Sequence, residues 1–134
     1  MTPLTDLDAL LRDMKPCLDP ERYAYAALQD QDTPWPEQTV AWFEEDEGRS
    51  VIAPYDHLLS AGLPVQFPCR RITLSVYSAL EAVGLTAQIA TALARAGISA
   101  NLVAGLHHDH VFVPETRAEQ ALSVLETLSE TARR

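Results

Sequence analysis

Apolar positions recur at three- and four-residue steps at the start of the chain: Leu4, Leu7, Leu11, Met14 and Leu18. That stripe predicts an amphipathic helix over Pro3–Lys15, capped by Thr2, with Pro3 in its first turn and Pro16 as its stop. Tyr23–Leu28 reads as a strand, and Gln29–Glu37, carrying Pro34, Trp35 and Pro36, as a loop. Val40–Phe43 predicts a second strand, whose acidic end turns at Gly48 into a third, Ser50–Ala53. Pro54–Ala61 reads as a short helix closed by Gly62 in the left-handed conformation. Val65–Phe67 is a short extended run that meets Pro68.

The second half is patterned more sharply. Arg71–Tyr77 alternates strictly, with Ile72, Leu74 and Val76 on one face and Thr73, Ser75 and Tyr77 on the other. Leu85, Ile89, Leu93 and Ala96 define a helix ending at Gly97. Ser99–Ala104 and His110–Val113 read as strands joined through Gly105–Asp109. Ala118, Ala121, Leu122, Leu125 and Leu128 form the stripe of a last helix over Arg117–Ser129, with Thr116 and Glu119 at capping-box spacing. The order β-α-β-β-α is a ferredoxin-like unit without its final strand. The first half, α-β-β-α-β with one extra strand, reads as though it lacked its first strand, so the two deficits are complementary. The expected fold class is α+β: two ferredoxin-like βαββαβ-type halves with antiparallel sheets and helices on one face. The halves divide at 1–69 and 70–134, and the strands around Pro68, from Val65 to Tyr77, are placed to serve both.

Composition is ordinary for a globular protein: 134 residues, 47% apolar and 22% charged. The net charge of −9 and the lack of a Lys/Arg stripe exclude a phosphate-backbone partner, so no nucleic acid is expected. No apolar run approaches the length of a membrane span, and the N-terminal residues lack a signal pattern. Cys17 and Cys69 sit in no metal-ligand spacing and suit reduced thiols, which points to a cytoplasmic protein.

Two segments, Ile72–Ala87 and Ala96–Gly105, resemble the ACT domain, in particular the small free-standing tandem-ACT proteins related to aspartate kinase regulatory regions. The run His107-His108-Asp109-His110-Val111-Phe112-Val113-Pro114 is similar to the same pattern. The first half follows the order of elements but has no glycine-led helix start like Gly84-Leu85-Thr86. The resemblance implies a 1–69 ACT-like half and a 70–134 ACT domain, a regulatory fold that binds amino acids at ACT–ACT interfaces, and dimers.

The candidate ligand residues are Gly84, Leu85, Thr86, Ile98 and Asn101. A helix start offers unpaired N–H groups and partial positive charge to a carboxylate, and glycine admits close approach. Asn101 in a strand needs partners for its amide; the resemblance implies that a polar residue here meets the ligand, with the backbone near Ile98. Thr73, Ser75, Asn101, His108 and His110 are expected on the sheet face away from the helices. Tyr77 and Phe112 on that face would be bare unless a second subunit covers them, so a homodimer is expected. The His107–His110 run supplies too few ligands for a structural metal and reads as a polar hairpin. No nucleophile motif, P-loop or dinucleotide fingerprint is present. The expectation is a non-catalytic amino-acid-binding regulatory module without metal or cofactor. The alternatives are a bare interaction module and, behind it, a metal-binding protein using His107–His110.

Overall fold

The computed structural model describes residues 2–30 and 32–134; Met1, in the N-terminal segment, and Gln31, in the expected 29–37 loop, lie outside them. In chain order the elements are α1 (Leu7–Arg12), β1 (Pro16–Leu28), β2 (Ala41–Glu45), β3 (Gly48–Pro54), α2 (Tyr55–Ser60), β4 (Gln66–Leu74), α3 (Leu85–Arg95), β5 (Asn101–Ala104), β6 (Asp109–Pro114) and α4 (Ala118–Ala132). The strands hydrogen-bond in the order β2-β3-β1-β4-β6-β5, and the paired ladders are antiparallel. The expected α+β class with antiparallel strands and helices is what the chain adopts.

The chain forms two compact units: residues up to Asp19 with Arg70–Arg134, and Pro20–Cys69. In the Pro20–Cys69 unit, Tyr23–Leu28 of β1 pairs with Arg49–Pro54 of β3, and β3 pairs outward with β2. Ala24, Ala26, Val51 and Ala53 alternate onto one face and bury against Leu58 of α2. Three alanines in that face let a six-residue helix sit close to the strands. The β2–β3 hairpin turns through Asp46 and Glu47, and Gly48 takes φ +136°, a value that favours glycine.

The other unit carries three helices on its strands. Leu10, Leu11 and Met14 of the first segment join Leu85, Ile89 and Leu93 of α3 and Ala121 and Leu125 of α4 over Ile72, Leu74, Val111 and Val113. The alternation expected for Ile72, Leu74 and Val76 therefore selects the core face. α3 begins and ends where Gly84 and Gly97 punctuate it. Past its C-terminus, Gly97 at φ +72° lets the Ile98 N–H donate to the Leu93 carbonyl at 2.9 Å.

Several boundaries differ from expectation. The first helix ends at Arg12 rather than Lys15, and β1 begins at Pro16 rather than Tyr23, so Leu18 of the expected helical stripe lies in a strand. The first helix starts at Leu7, capped by the Asp6 carboxylate on the Asp8 N–H at 3.1 Å, and not at Pro3 under Thr2. Leu4 is drawn off instead into a bridge with Ser78, donating to the Tyr77 carbonyl and accepting from the Ala79 N–H. Ahead of α4, Glu115–Arg117 forms a 3-10 turn and Thr116 caps nothing. Arg117 turns back to the Ala96 and Gly97 carbonyls at 3.0 and 3.4 Å. β4 runs unbroken through Pro68, with Phe67 taking φ +53° just before the proline. It stops at Leu74 because the Ser75 and Val76 amides turn to the Met14 carbonyl.

Because Leu10 packs with α3 and α4, Leu10→Ala should cost about 2–5 kcal/mol. Native-state hydrogen exchange should quicken in α3 and α4 before it quickens in β2 and β3. The reverse order would contradict the unit assignment.

Candidate ligand site

The site grows from the end of β4. After Leu74 the chain passes Val76 and Ala79, both buried, and reaches Gly84 at φ +105° as the residue before α3. A side chain is doubly disfavoured there: the φ is left-handed, and a Cβ would lie 3.1 Å from Cδ2 of Leu7. The φ thus favours glycine, and the Leu7 side chain would have to give way slightly to any substitute.

The first helical hydrogen bond of α3 runs from the Gln88 N–H to the Gly84 carbonyl at 3.0 Å. The amides of Leu85, Thr86 and Ala87 precede it, and no side chain caps them. Leu85 buries its side chain in the core and offers its N–H alone, while Thr86 is exposed. An uncapped, partly positive helix start beside an exposed hydroxyl suits a carboxylate.

Ile98 and Asn101 lie elsewhere. α3 is about 16 Å long at about 1.5 Å per residue, and Ile98 follows its C-terminal end while Gly84 precedes its start. Within one chain Ile98 therefore lies too far from Gly84 to share a single small ligand with it. Ile98 is a core side chain whose N–H is used in closing the helix. Asn101 opens β5, opposite Phe112 of β6, and is exposed.

The histidine hairpin, which sequence reasoning set aside, is built onto the end of β4. His110 Nδ1 lies 3.0 Å from Thr73 Oγ1, so these two share a face as expected. His108 Nδ1 lies 3.3 Å from the Val76 carbonyl, and the His107 ring stands 5.3 Å from that of Tyr77. Burial, with Arg71 and His108 adding repulsion, holds His110 below the usual imidazole range; burial raises Asp109, with His108 opposing. No group of three or more metal-ligating side chains converges among the described residues. Phe112 is buried within the single chain at 1% exposure, and Tyr77 is half-buried, so neither is the bare ring that the dimer argument assumed. The exposed apolar side chains of this region are instead Leu80, Val83 and Leu106, at 62%, 84% and 66%. Their positions in a turn and in loops have no periodic signature, which is why the sequence pattern did not single them out.

Two family models describing the ACT domain match the chain, one over residues 2–70 and the other over residues 66–127. The chain belongs to the ACT-domain family. Two ACT domains follow one another in it, and ACT domains are regulatory modules. A Vibrio cholerae protein of unknown function, described as a possible transport protein, is 39% identical. The match covers 92% of this chain and 95% of that one, with a TM-score of 0.82. The regulatory subunit of aspartate kinase from Thermus thermophilus is 12% identical, with 84% and 95% of the two chains covered and a TM-score of 0.64. Aspartokinase III from E. coli, solved with aspartate and ADP, is 10% identical over 84% of this chain and 32% of its own, with a TM-score of 0.61. At those identities the two kinases share the fold. No curated protein sequence matches the chain. No helix among the described residues is long and apolar enough to cross a membrane.

Two measurements check the local physics. Gly84 and Gly97 both have left-handed φ, but a Cβ at Gly97 meets nothing within 4 Å. Gly84→Ala should therefore cost about 1–3 kcal/mol, and Gly97→Ala clearly less, by urea denaturation. For pH, a lowered folded-state pKa means His110 contributes stability that is fully present above its ordinary 6.5 and is lost as pH falls through the lowered value. Asp109, raised from 3.8, acts with the opposite sense, its contribution being lost as pH rises through the raised value. The melting temperature should fall between about pH 7 and about pH 5, and His110→Gln should remove much of that fall. An unchanged slope in the variant would refute the assignment.

Proposed function

We propose that this protein is a cytoplasmic, non-catalytic regulatory module that binds an amino acid, with the chain divided into an ACT-like half over 1–69 and an ACT domain over 70–134. The reading rests on one observation above the others: the uncapped start of α3 behind Gly84, in a chain of two ACT domains. The ligand's carboxylate takes the amides of Leu85, Thr86 and Ala87. Because Gly84 precedes α3, Asn101 follows it on β5, and β5 is the outer strand, the amide of Asn101 is assigned to a second copy of the chain. The homodimer is then part of the site, and the backbone next to Ile98 reaches the ligand with that strand. Leu80 and Val83 precede the helix start, Leu106 shares a small cleft with Leu80, and all three gain cover in the same assembly. Signalling follows if the ligand binds the dimer better than the monomer, since only differential affinity shifts an equilibrium.

A second reading, a protein-interaction module without a metabolite, is favoured by the same exposed apolar side chains, which would then meet a different protein.

Screening the twenty standard amino acids by thermal shift and sedimentation equilibrium separates the two. The expected outcome is that one amino acid raises the melting temperature and the dimer fraction together. Asn101→Ala should weaken that binding by about tenfold, the loss of one hydrogen bond to a charged group. If no amino acid binds at millimolar concentration, the amino-acid reading fails and the interaction module stands; if Asn101→Ala binds normally, the site shared with a second copy fails.

A further inference from the structure

The Pro20–Cys69 unit holds an open cleft of about 540 Å³, within the size range of small-molecule sites. Trp35, Pro34 and Pro36 give it apolar walls, and Glu37, His57 and Ser60 its polar groups. The wall is braced from behind. Trp35 packs edge-on against Trp42, with centroids 5.2 Å apart and planes at 71°. The Arg49 guanidinium lies 5.0 Å from the Trp35 ring and 5.6 Å from that of Trp42, and pairs with Glu44. His57 Nδ1 lies 2.7 Å from the Glu37 carbonyl. A carbonyl only accepts, so Nδ1 donates, and in the tautomer with its proton on Nδ1 the ring presents Nε2 as an acceptor.

The charges choose the ligand. Residues 20–69 contain nine Asp or Glu, two Arg and no Lys. Arg22 stacks over the Tyr55 ring at 3.6 Å, and Arg49 is held by the tryptophans and Glu44. The cleft itself offers a carboxylate, an imidazole acceptor and a hydroxyl, and no cation lines it. An anion entering here meets net negative charge without a counter-ion, whereas a cation finds Glu37.

We propose that this cleft binds a small organic amine as its ammonium ion. Its ring or chain packs against Trp35 and the two prolines; its ammonium donates to the Glu37 carboxylate and His57 Nε2. The site differs from the α3 start in residues and in the sign of charge it takes, so it stands or falls independently of the amino-acid reading.

Trp35 lines the cleft and Trp42, the chain's other tryptophan, packs against it, so intrinsic tryptophan emission reads the site. The probe is phenethylamine, with phenylacetate as the anion of similar shape and 2-phenylethanol as the neutral one. Phenethylamine should change the emission saturably, phenylacetate should not, and the alcohol should bind more weakly than the amine. Glu37→Gln, at an exposed position where folding is checked by circular dichroism, should weaken phenethylamine binding on the order of tenfold. Asn101→Ala should leave it unchanged. Equal responses to all three probes, no response to phenethylamine at tens of millimolar, or full affinity in Glu37→Gln would each overturn the proposal.

Discussion

The unit that carries the candidate ligand site is closed by Asp19. The chain leaves that unit after Asp19 and returns at Arg70, so its two segments must be joined across a fifty-residue excursion. Asp19 makes the join. Its carbonyl accepts from Nε and Nη2 of Arg70 at 3.0 and 2.8 Å, and its carboxylate pairs with Arg71 at 2.8 Å. Both members of the ion pair are partly buried, which limits its screening by solvent. Closing so long a loop has an entropic cost that grows only slowly with length, and a few charge-assisted hydrogen bonds at its neck offset part of it.

The features of the candidate site depend on that closure. With the first segment held, α1 lays Leu7, Leu10 and Leu11 against α3 and α4, and Leu7 crowds the position of a side chain at Gly84. The Leu4 backbone then ties itself to Tyr77 and Ala79, fixing the stretch that leads from β4 to α3. A helix start left uncapped and exposed is stable here because the core beneath it is complete. The regulatory character of the family and the local electrostatics point in the same direction.

The parts legible in the sequence were those decided by near neighbours. α3 was read to within one residue at each end, because its apolar stripe lies between two glycines that both take left-handed φ. The buried alternation of Ile72, Leu74 and Val76 was equally plain. What escaped was set by distant partners. Thr2 and Pro3 spell a helix start, yet Leu4 is claimed by Ser78, and Asp6 becomes the cap. Thr116 and Glu119 spell a capping box, yet Arg117 is pulled back to the carbonyls past α3 and the turn tightens. Phe112 and Asn101 lie opposite one another, but one is fully buried and the other exposed, a difference that strand periodicity does not encode. The resemblance also implied that Ile98 and Asn101 would join Gly84, whereas the length of α3 separates Ile98 from it.

The central claim is that a carboxylate docks on the first turn of α3 and is completed by Asn101 of a second copy. A proton–nitrogen correlation spectrum of the labelled protein, titrated with the amino acid that raises its melting temperature, tests this directly. The account predicts saturable shifts at the backbone amides of Leu85, Thr86 and Ala87 and at the Asn101 side-chain amide, with line broadening that reports dimerisation. Shifts that saturate while those four signals stay still would contradict it.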